Sequence, residues 1–142
     1  MRGFTLIELI LVVAIISFIA LLSSPFYSRF LLQNAVDNTK DQLVGSLRKA
    51  QTYSMMGKRG SAWSVNFSTN TITLYKGTSF ASRDASFDEK FSVNPNVSVA
   101  GITDISFARA TGLPAPAGAT INISSANNNK SVTVNSQGVV SR

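Results

Sequence analysis

Few side chains in this sequence could take part in catalysis or metal binding. There is no cysteine and no histidine, so thiolate nucleophiles, disulfides and the commonest general base and metal ligand are absent. Paired carboxylates could still carry out acid–base catalysis, but no base, nucleophile and orienting group recur in a recognisable spacing. The carboxylates beyond the N-terminal segment lie in polar surroundings that predict solvated surface: Asp37, Asp41, Asp84, Asp88, Glu89 and Asp104. We therefore expect no enzyme, no cofactor and no metal site.

Glu8 stands apart from the other carboxylates, because it lies in an apolar run that carries no further charge as far as Leu22. A carboxylate in hydrocarbon is costly, and a chain that keeps one usually has a use for it. The run has about the 20 residues that span a bilayer, and it continues beyond the length of a secretory signal. We expect residues 4–28 to form a transmembrane helix and Glu8 to receive a partner from another copy or another subunit. Arg2, ahead of the run, favours a cytoplasmic N-terminus with the rest of the chain outside.

A second helical stretch follows and would position the head of the molecule. Pro25 removes a backbone donor, but the helical pattern resumes after it, so we expect a kink rather than an end. Apolar residues then recur at spacings near three, four and seven, interleaved with charges, which predicts an amphipathic helix over residues 29–57: Leu32, Val36, Leu43, Leu47 and Ala50. Gly57 is the expected stop of a helix that begins near Thr5.

The remaining residues, 58–142, alternate between apolar and polar and predict a β-rich globular head. A hairpin is expected where Trp63, Val65 and Phe67 face one way, with Ile72 and Leu74 after the turn. Further short strands are expected at 87–93, 97–100, 102–108, 120–124, 131–135 and 139–140, with loops at 76–86, 112–118 and 126–130. The predicted fold class is α+β: a long N-terminal helix packed on an antiparallel β-rich head.

The formal net charge of +6 leaves the kind of partner open. Nucleic acid, an anionic membrane surface and an acidic partner all fit a basic protein. The basic residues of the head could form a nucleic-acid contact face made of Lys58, Arg59, Lys76, Arg83, Lys130 and Arg142.

The N-terminal stretch Gly3-Phe4-Thr5-Leu6-Ile7-Glu8-Leu9 resembles that of the type IV pilins and type II secretion pseudopilins. The resemblance implies a leader of residues 1–3, removed after Gly3 by a prepilin peptidase, and N-methylation of the new first residue, Phe4. It also implies that Glu8 meets the N-terminal amine of a neighbouring subunit during assembly. The expected place is the bacterial inner membrane, with lipid as a neighbour, and then a helical filament of pilin or pseudopilin subunits.

Residues 43–59, 105–107 and 132–140 are similar to the minor-pilin group that includes GspH and FimT. The chain lacks the cysteine pair that closes a loop in many major pilins, and the Arg-rich tail of some DNA-binding relatives is reduced to Arg142. The expected function is that of a minor pilin or pseudopilin, a structural subunit. A DNA-binding minor pilin of an uptake pilus and an unprocessed, membrane-anchored single-pass protein are the alternatives, and the machine served stays open among pilus, secretion system and competence apparatus.

Overall fold

The computed structural model describes residues 3–68, 70–126 and 128–141, and within its helix the side chains of residues 22–26 lie outside the description. Contacts between residues divide the chain into two units, residues 1–31 and residues 32–142. The helix α1 (Leu6–Met55) contributes to both units. The second unit, which we call the head, also contains every strand in the described part of the chain.

The described side chains of the first unit are mostly apolar and exposed. Phe4 and Leu6 are 81% and 77% exposed, and large apolar side chains continue to be exposed as far as Leu21. The sequence predicts that residues 4–28 span a membrane. Within the described residues, however, no helix combines the length and the apolar character that a membrane crossing requires. The predicted kink at Pro25 lies outside the described side chains and stays a prediction.

In the head, α1 is amphipathic, as its sequence predicts. Its fully buried side chains follow one stripe: Val36, Leu43, Leu47 and Ala50. The helix ends because Gly57 adopts a left-handed conformation with φ 59°, which glycine tolerates at no steric cost. The N–H of Gly57 donates to the carbonyl of Ser54, and a 3-10 turn (Lys58–Gly60) leads to the first strand.

The strands form two antiparallel sheets. The first sheet has the order β3-β2-β1-β5-β6 and consists of β1 (Trp63–Ser68), β2 (Thr71–Lys76), β3 (Asp84–Ser92), β5 (Asp104–Phe107) and β6 (Pro114–Ala115). The second has the order β4-β7-β8-β9 and consists of β4 (Ser98–Gly101), β7 (Ala119–Ser125), β8 (Asn128–Val134) and β9 (Val140–Ser141).

One hydrophobic core joins the helix to both sheets. On the first sheet, Val65 lies opposite Leu74 on one side and Ile105 on the other, and all three are fully buried. On the second sheet, Ile121 lies opposite Val132, and both are fully buried. Burying one such aliphatic side chain contributes about 1.5–3 kcal/mol. The α+β fold with a long N-terminal helix on antiparallel sheets is therefore confirmed.

Three of the predicted loops are shorter than expected. Strand β3 begins at Asp84, inside predicted loop 76–86, because its pairing with β2 resumes after an irregularity between Leu74 and Lys76. Strand β8 begins at Asn128, inside predicted loop 126–130, because the hairpin already closes between Ser125 and Asn128. Strand β6 lies inside predicted loop 112–118, and proline is tolerated there because β6 is an edge strand.

The face of the first sheet that points away from the helix is partly covered by residues 77–83. The hydroxyl of Tyr75 donates to both carboxylate oxygens of Asp104, at 2.7 and 2.9 Å. The Phe80 ring packs edge-on against Tyr75, with 5.5 Å between centroids, and the hydroxyl of Ser64 donates to the carbonyl of Gly77. Burial raises the pKa of Tyr75 and of Asp104 above their ordinary values. This cover explains why Ser64, which lies on that face of the sheet, is fully buried.

Candidate assembly site

The predicted assembly residue, Glu8, lies in the first turn of α1, and that turn has the pattern of a capping box. The amide of Glu8 donates to the side-chain hydroxyl of Thr5 at 3.4 Å, and the amide of Leu9 donates to the carbonyl of Thr5 at 3.2 Å. A threonine followed three residues later by glutamate is a signature of a helix N-terminus. A negatively charged side chain at a helix N-terminus also interacts favourably with the helix dipole. The bond comes from the backbone amide of Glu8, so the cap depends on the Thr5 hydroxyl, and the carboxylate of Glu8 adds a favourable interaction with the helix dipole.

The side chain of Glu8 is exposed. Among the described residues, no cationic group lies within 4 Å of its carboxylate. Around it, Ile7 and Leu9 are 71% and 61% exposed. Exposed apolar surface of this extent marks a membrane or protein contact. Within the described residues, the first unit is thus an apolar helical surface with one exposed carboxylate near its beginning and no cationic partner for it.

The predicted processing residues have open surroundings. A Cβ built on Gly3 meets nothing within 4 Å, and Phe4 is exposed. Farther along the apolar surface, the hydroxyl of Ser17 donates to the carbonyl of Val13 at 2.8 Å. Because that bond satisfies the hydroxyl within the helix, Ser17 can lie in an apolar contact at little cost.

Three of the six predicted nucleic-acid contacts come together beside aromatic rings. The ammonium of Lys58 lies 3.4 Å from the ring centroid of Tyr53. The guanidinium of Arg59 lies 5.4 Å, and the ammonium of Lys76 lies 4.8 Å, from the ring centroid of Phe87. These distances are typical of cation–π contacts.

The other predicted contacts do not join this group. Arg83 pairs with Asp88 at 2.9 Å and lies 3.7 Å from the ring centroid of Phe80, on the face of the sheet that points away from the helix. Lys130, in the second sheet, lies 3.5 Å from Asp37. Arg142 lies outside the described residues. The structure therefore divides the predicted basic face, and its contact with nucleic acid stays a prediction.

Two carboxylates that were predicted to be solvated are not. The side chain of Asp88 is 4% exposed and is paired with Arg83, and Asp104 is partly buried under Tyr75 and Phe80. Loop 77–83 folds over the sheet and shields both carboxylates from part of the solvent, which local sequence polarity does not reveal. Asp88 thus has an ion-pair partner and Asp104 a hydrogen-bond partner within the head.

Fold and N-terminal segment together form an α+β head whose helix begins with an exposed apolar stretch and an early carboxylate. Residues 1–24 match a family model described as the prokaryotic N-terminal methylation motif. The minor pseudopilin EpsH from the type 2 secretion system of Vibrio cholerae has a similar fold, with a TM-score of 0.56 at 9% sequence identity over 75% of this chain and 94% of that one. At that identity the likeness concerns the fold alone.

Two type IV major fimbrial proteins, both named FimA and both from Dichelobacter nodosus, are similar in sequence. One is 30% identical over 88 residues, which cover 61% of this chain and 54% of the relative. The other is 32% identical over 77 residues, which cover 54% of this chain and 49% of the relative. The chain therefore spans about half the length of the curated relatives it matches. The motif and the relatives support the resemblance to type IV pilins that the sequence predicted, and the fold is similar to that of a minor pseudopilin.

Proposed function

We propose that this chain is a structural subunit, a minor pilin or pseudopilin, of a type IV pilus or a type II secretion filament. In this proposal prepilin peptidase cuts after Gly3, and Phe4 becomes the N-methylated first residue. The apolar part of α1 then packs against the same part of other subunits, and the head is displayed on the outside. Such contacts join two different faces and build an open helical filament rather than a closed ring.

The observation that carries the proposal is the exposed carboxylate of Glu8 on an apolar helix, with no cationic partner among the described residues. Removing one charge from water into an apolar helix bundle is costly, whereas a paired carboxylate and ammonium offset much of each other's cost. The new amine on Phe4 of a neighbouring subunit is a cation of the right kind. The pairing would favour one axial register between helices that otherwise present only apolar side chains.

The capping box makes it possible to separate the assembly role of Glu8 from its local role. In Glu8→Gln the charge is lost, but glutamine also serves at this position of a capping box. In Thr5→Ala the cap is lost, at about 1 kcal/mol, but the carboxylate stays. Leaving one partner of a buried ion pair uncompensated costs about 3–5 kcal/mol. We therefore expect Glu8→Gln to lower filament incorporation by more than about tenfold and Thr5→Ala to leave most of it intact.

Incorporation is measured by the fraction of the full-length chain that co-sediments with sheared filaments, normalised to its membrane level. Normal incorporation of Glu8→Gln would refute the ion-pair mechanism. If Thr5→Ala fails as severely as Glu8→Gln, the defect belongs to the start of the helix and not to the charge.

Processing has a separate test, which is the mass of the mature N-terminus. We expect a chain that begins with methylated Phe4, and an intact Met1 would instead favour the unprocessed single-pass alternative. Membrane anchoring, the peptidase and the choice among pilus, secretion system and competence apparatus remain parts of the proposal. A DNA-uptake role stays the alternative prediction, although the division of the basic residues between separate places on the head gives it no added support.

A further inference from the structure

The end of the head around the end of α1 collects exposed apolar and cationic side chains. We call it the turn surface and define it by Met56, Lys58, Arg59, Arg109, Leu113 and Val139, all of which are exposed. Three chain segments that are distant in sequence build it: the turn after α1, the loop before β6 and the loop before β9.

Specific contacts hold these three segments together. The amide of Ala110 donates to the carbonyl of Ser54 at 2.9 Å, and a Cβ on Gly57 would lie 3.7 Å from Nε of Arg109. The side-chain amide of Gln51 donates to the carbonyls of Gly112 and Gln137, each at 3.4 Å. These bonds fix the loops, so Arg109, Leu113 and Val139 belong to a structured surface.

The apolar side chains of the turn surface are unusual for this head. Met56, Leu113 and Val139 are 75%, 47% and 58% exposed, and with the neighbouring Met55 they make up the large hydrophobic side chains that are exposed in the described part of the head. Single exposed apolar residues are normal, but their concentration in one place marks an interaction surface. Exposed methionines are common where a polypeptide partner must be accommodated.

The cations of the turn surface lack acidic partners. Among the described residues, no carboxylate lies within 4 Å of Lys58, Arg59 or Arg109. Two nearby lysines differ in this respect, because Lys49 lies 2.5 Å from Glu89 and Lys76 lies 3.8 Å from Asp84. Lys58, Arg59 and Arg109 thus place positive charge without a carboxylate partner at the end of the head that also exposes apolar side chains.

Arg59 is held in a strained backbone conformation. Its φ is 57°, between two glycines with φ 59° and 67°. A left-handed conformation costs a residue with a Cβ about 1–2 kcal/mol, and glycine would avoid that cost. Strain of this kind at an exposed cation points to a use for the side chain other than stability.

We propose that the turn surface binds an acidic amphipathic segment of a different polypeptide. Carboxylates of that segment would pair with Lys58, Arg59 and Arg109, and its apolar side chains would pack on Met56, Leu113 and Val139. Buried apolar contacts supply most of the affinity, while charge complementarity selects the partner and speeds its association.

The head of a second copy fits the turn surface poorly, because the side-chain carboxylates of that head are already engaged. Asp37, Asp84, Asp88 and Glu89 form ion pairs, Asp104 accepts from Tyr75, and Asp41 also has an interaction. A lipid surface fits less well than a polypeptide, because tryptophan is a preferred anchor at the membrane–water interface, and Trp63, the only tryptophan, is 2% exposed.

The test uses the full chain in a nonionic detergent and a fluorescently labelled helical peptide with leucine on one face and glutamate on the other. The key variant is Arg59→Gly, which removes a cation and relieves the strained backbone, so it should fold at least as well as the parent. We expect it to weaken peptide binding by about tenfold, the loss of one desolvated ion pair, and added salt to weaken binding further. Lys90→Ala is the matched control, because it also removes one positive charge, at an exposed lysine that its strand register places on the other face of the sheet. The affinity of Lys90→Ala for the peptide should equal that of the parent.

Matched probes decide between this partner and others. A peptide with glutamine in place of every glutamate should bind at least about tenfold more weakly. Equal binding by Arg59→Gly and the parent, or no binding of the acidic peptide, would overturn the proposal. It would also be overturned if duplex DNA bound more tightly than the peptide, if phosphatidylglycerol added to the micelles displaced the peptide, or if Arg59→Gly abolished self-association of the chain. Those results would assign the surface to nucleic acid, to lipid or to a second copy, respectively.

Discussion

The contact between Gln51, Gly112 and Gly138 makes a quantitative prediction about the end of the head. Gly138 has φ 83°, and a Cβ built there would collide with the side-chain amide of Gln51 and lie 2.9 Å from the carbonyl of Gly112. In Gly138→Ala, Gln51 must therefore move, and its hydrogen bonds to two loops are lost.

The cost follows from two contributions. Left-handed strain for alanine is about 1–2 kcal/mol. The two bonds of Gln51 are long, so together they contribute about 1 kcal/mol, toward the low end of the usual range. We expect Gly138→Ala to lower the free energy of unfolding by about 2–3 kcal/mol in total.

Gly118→Ala is the matched control, because Gly118 has a similar φ of 75° but a Cβ there meets nothing within 4 Å. It should cost only the strain, about 1–2 kcal/mol. Urea unfolding of the full chain in nonionic detergent measures both, with the fluorescence of the single, buried Trp63 as the probe of the head. In a Gln51→Ala background, Gly138→Ala should lose most of its excess cost. An equal loss of stability in Gly138→Ala and Gly118→Ala would refute this account of the contact.

Two further predictions concern buried polar groups in the head. The buried amide of Trp63 donates to the Ser54 hydroxyl at 2.8 Å and would lose this acceptor in Ser54→Ala. The variant should therefore lower the free energy of unfolding by about 1–3 kcal/mol in the same urea assay. A change near zero would contradict this prediction. Burial raises the pKa of Asp104 in the folded state above its ordinary value of 3.8. Protonated Asp104 therefore contributes its full stabilisation of the fold below pH 3.8, and this stabilisation is lost as pH rises through the folded-state pKa. The stability of the parent relative to Asp104→Asn should therefore fall from acidic to neutral pH. The carboxylate of Asp84 has its pKa lowered chiefly by the Ser86 hydroxyl, so the stability of the parent relative to Asp84→Asn should rise as pH increases from strongly acidic values. Parallel pH profiles for the two variants would contradict both assignments.

The parts of the fold that depend on local pattern could be predicted from the sequence. The stripe from Val36 to Ala50 specifies the buried face of α1, and the alternation of Trp63, Val65 and Phe67 specifies the inner face of β1, because both patterns follow the period of their element. Gly57 marks the end of the helix for an equally local reason. Glu8 could also be singled out locally, since a charge in an apolar run is conspicuous in any sequence.

Features that depend on contacts between distant segments could not be predicted. Ser64 and Asp104 are shielded from solvent only because loop 77–83 folds over the outer face of the sheet. The turn surface likewise exists only because the loops before β6 and β9 meet the end of α1 at Gln51. No spacing along the chain brings Arg109 beside Gly57, and Arg109 was therefore absent from the predicted basic residues.

The attachment of α1 to both sheets has a mechanical consequence. Along the head portion of the helix, Asp37 pairs with Lys130 of the second sheet, Lys49 pairs with Glu89 of the first, and Arg48 donates to the carbonyl of Val140. A force along the helix axis therefore acts in shear on these bonds and on the buried apolar side chains of the helix at the same time. The contacts do not break one after another. Rupture then requires several contacts to fail at once, so the head should resist tension applied through its helix better than an equal force that peels β6 or β9 from the edge of its sheet.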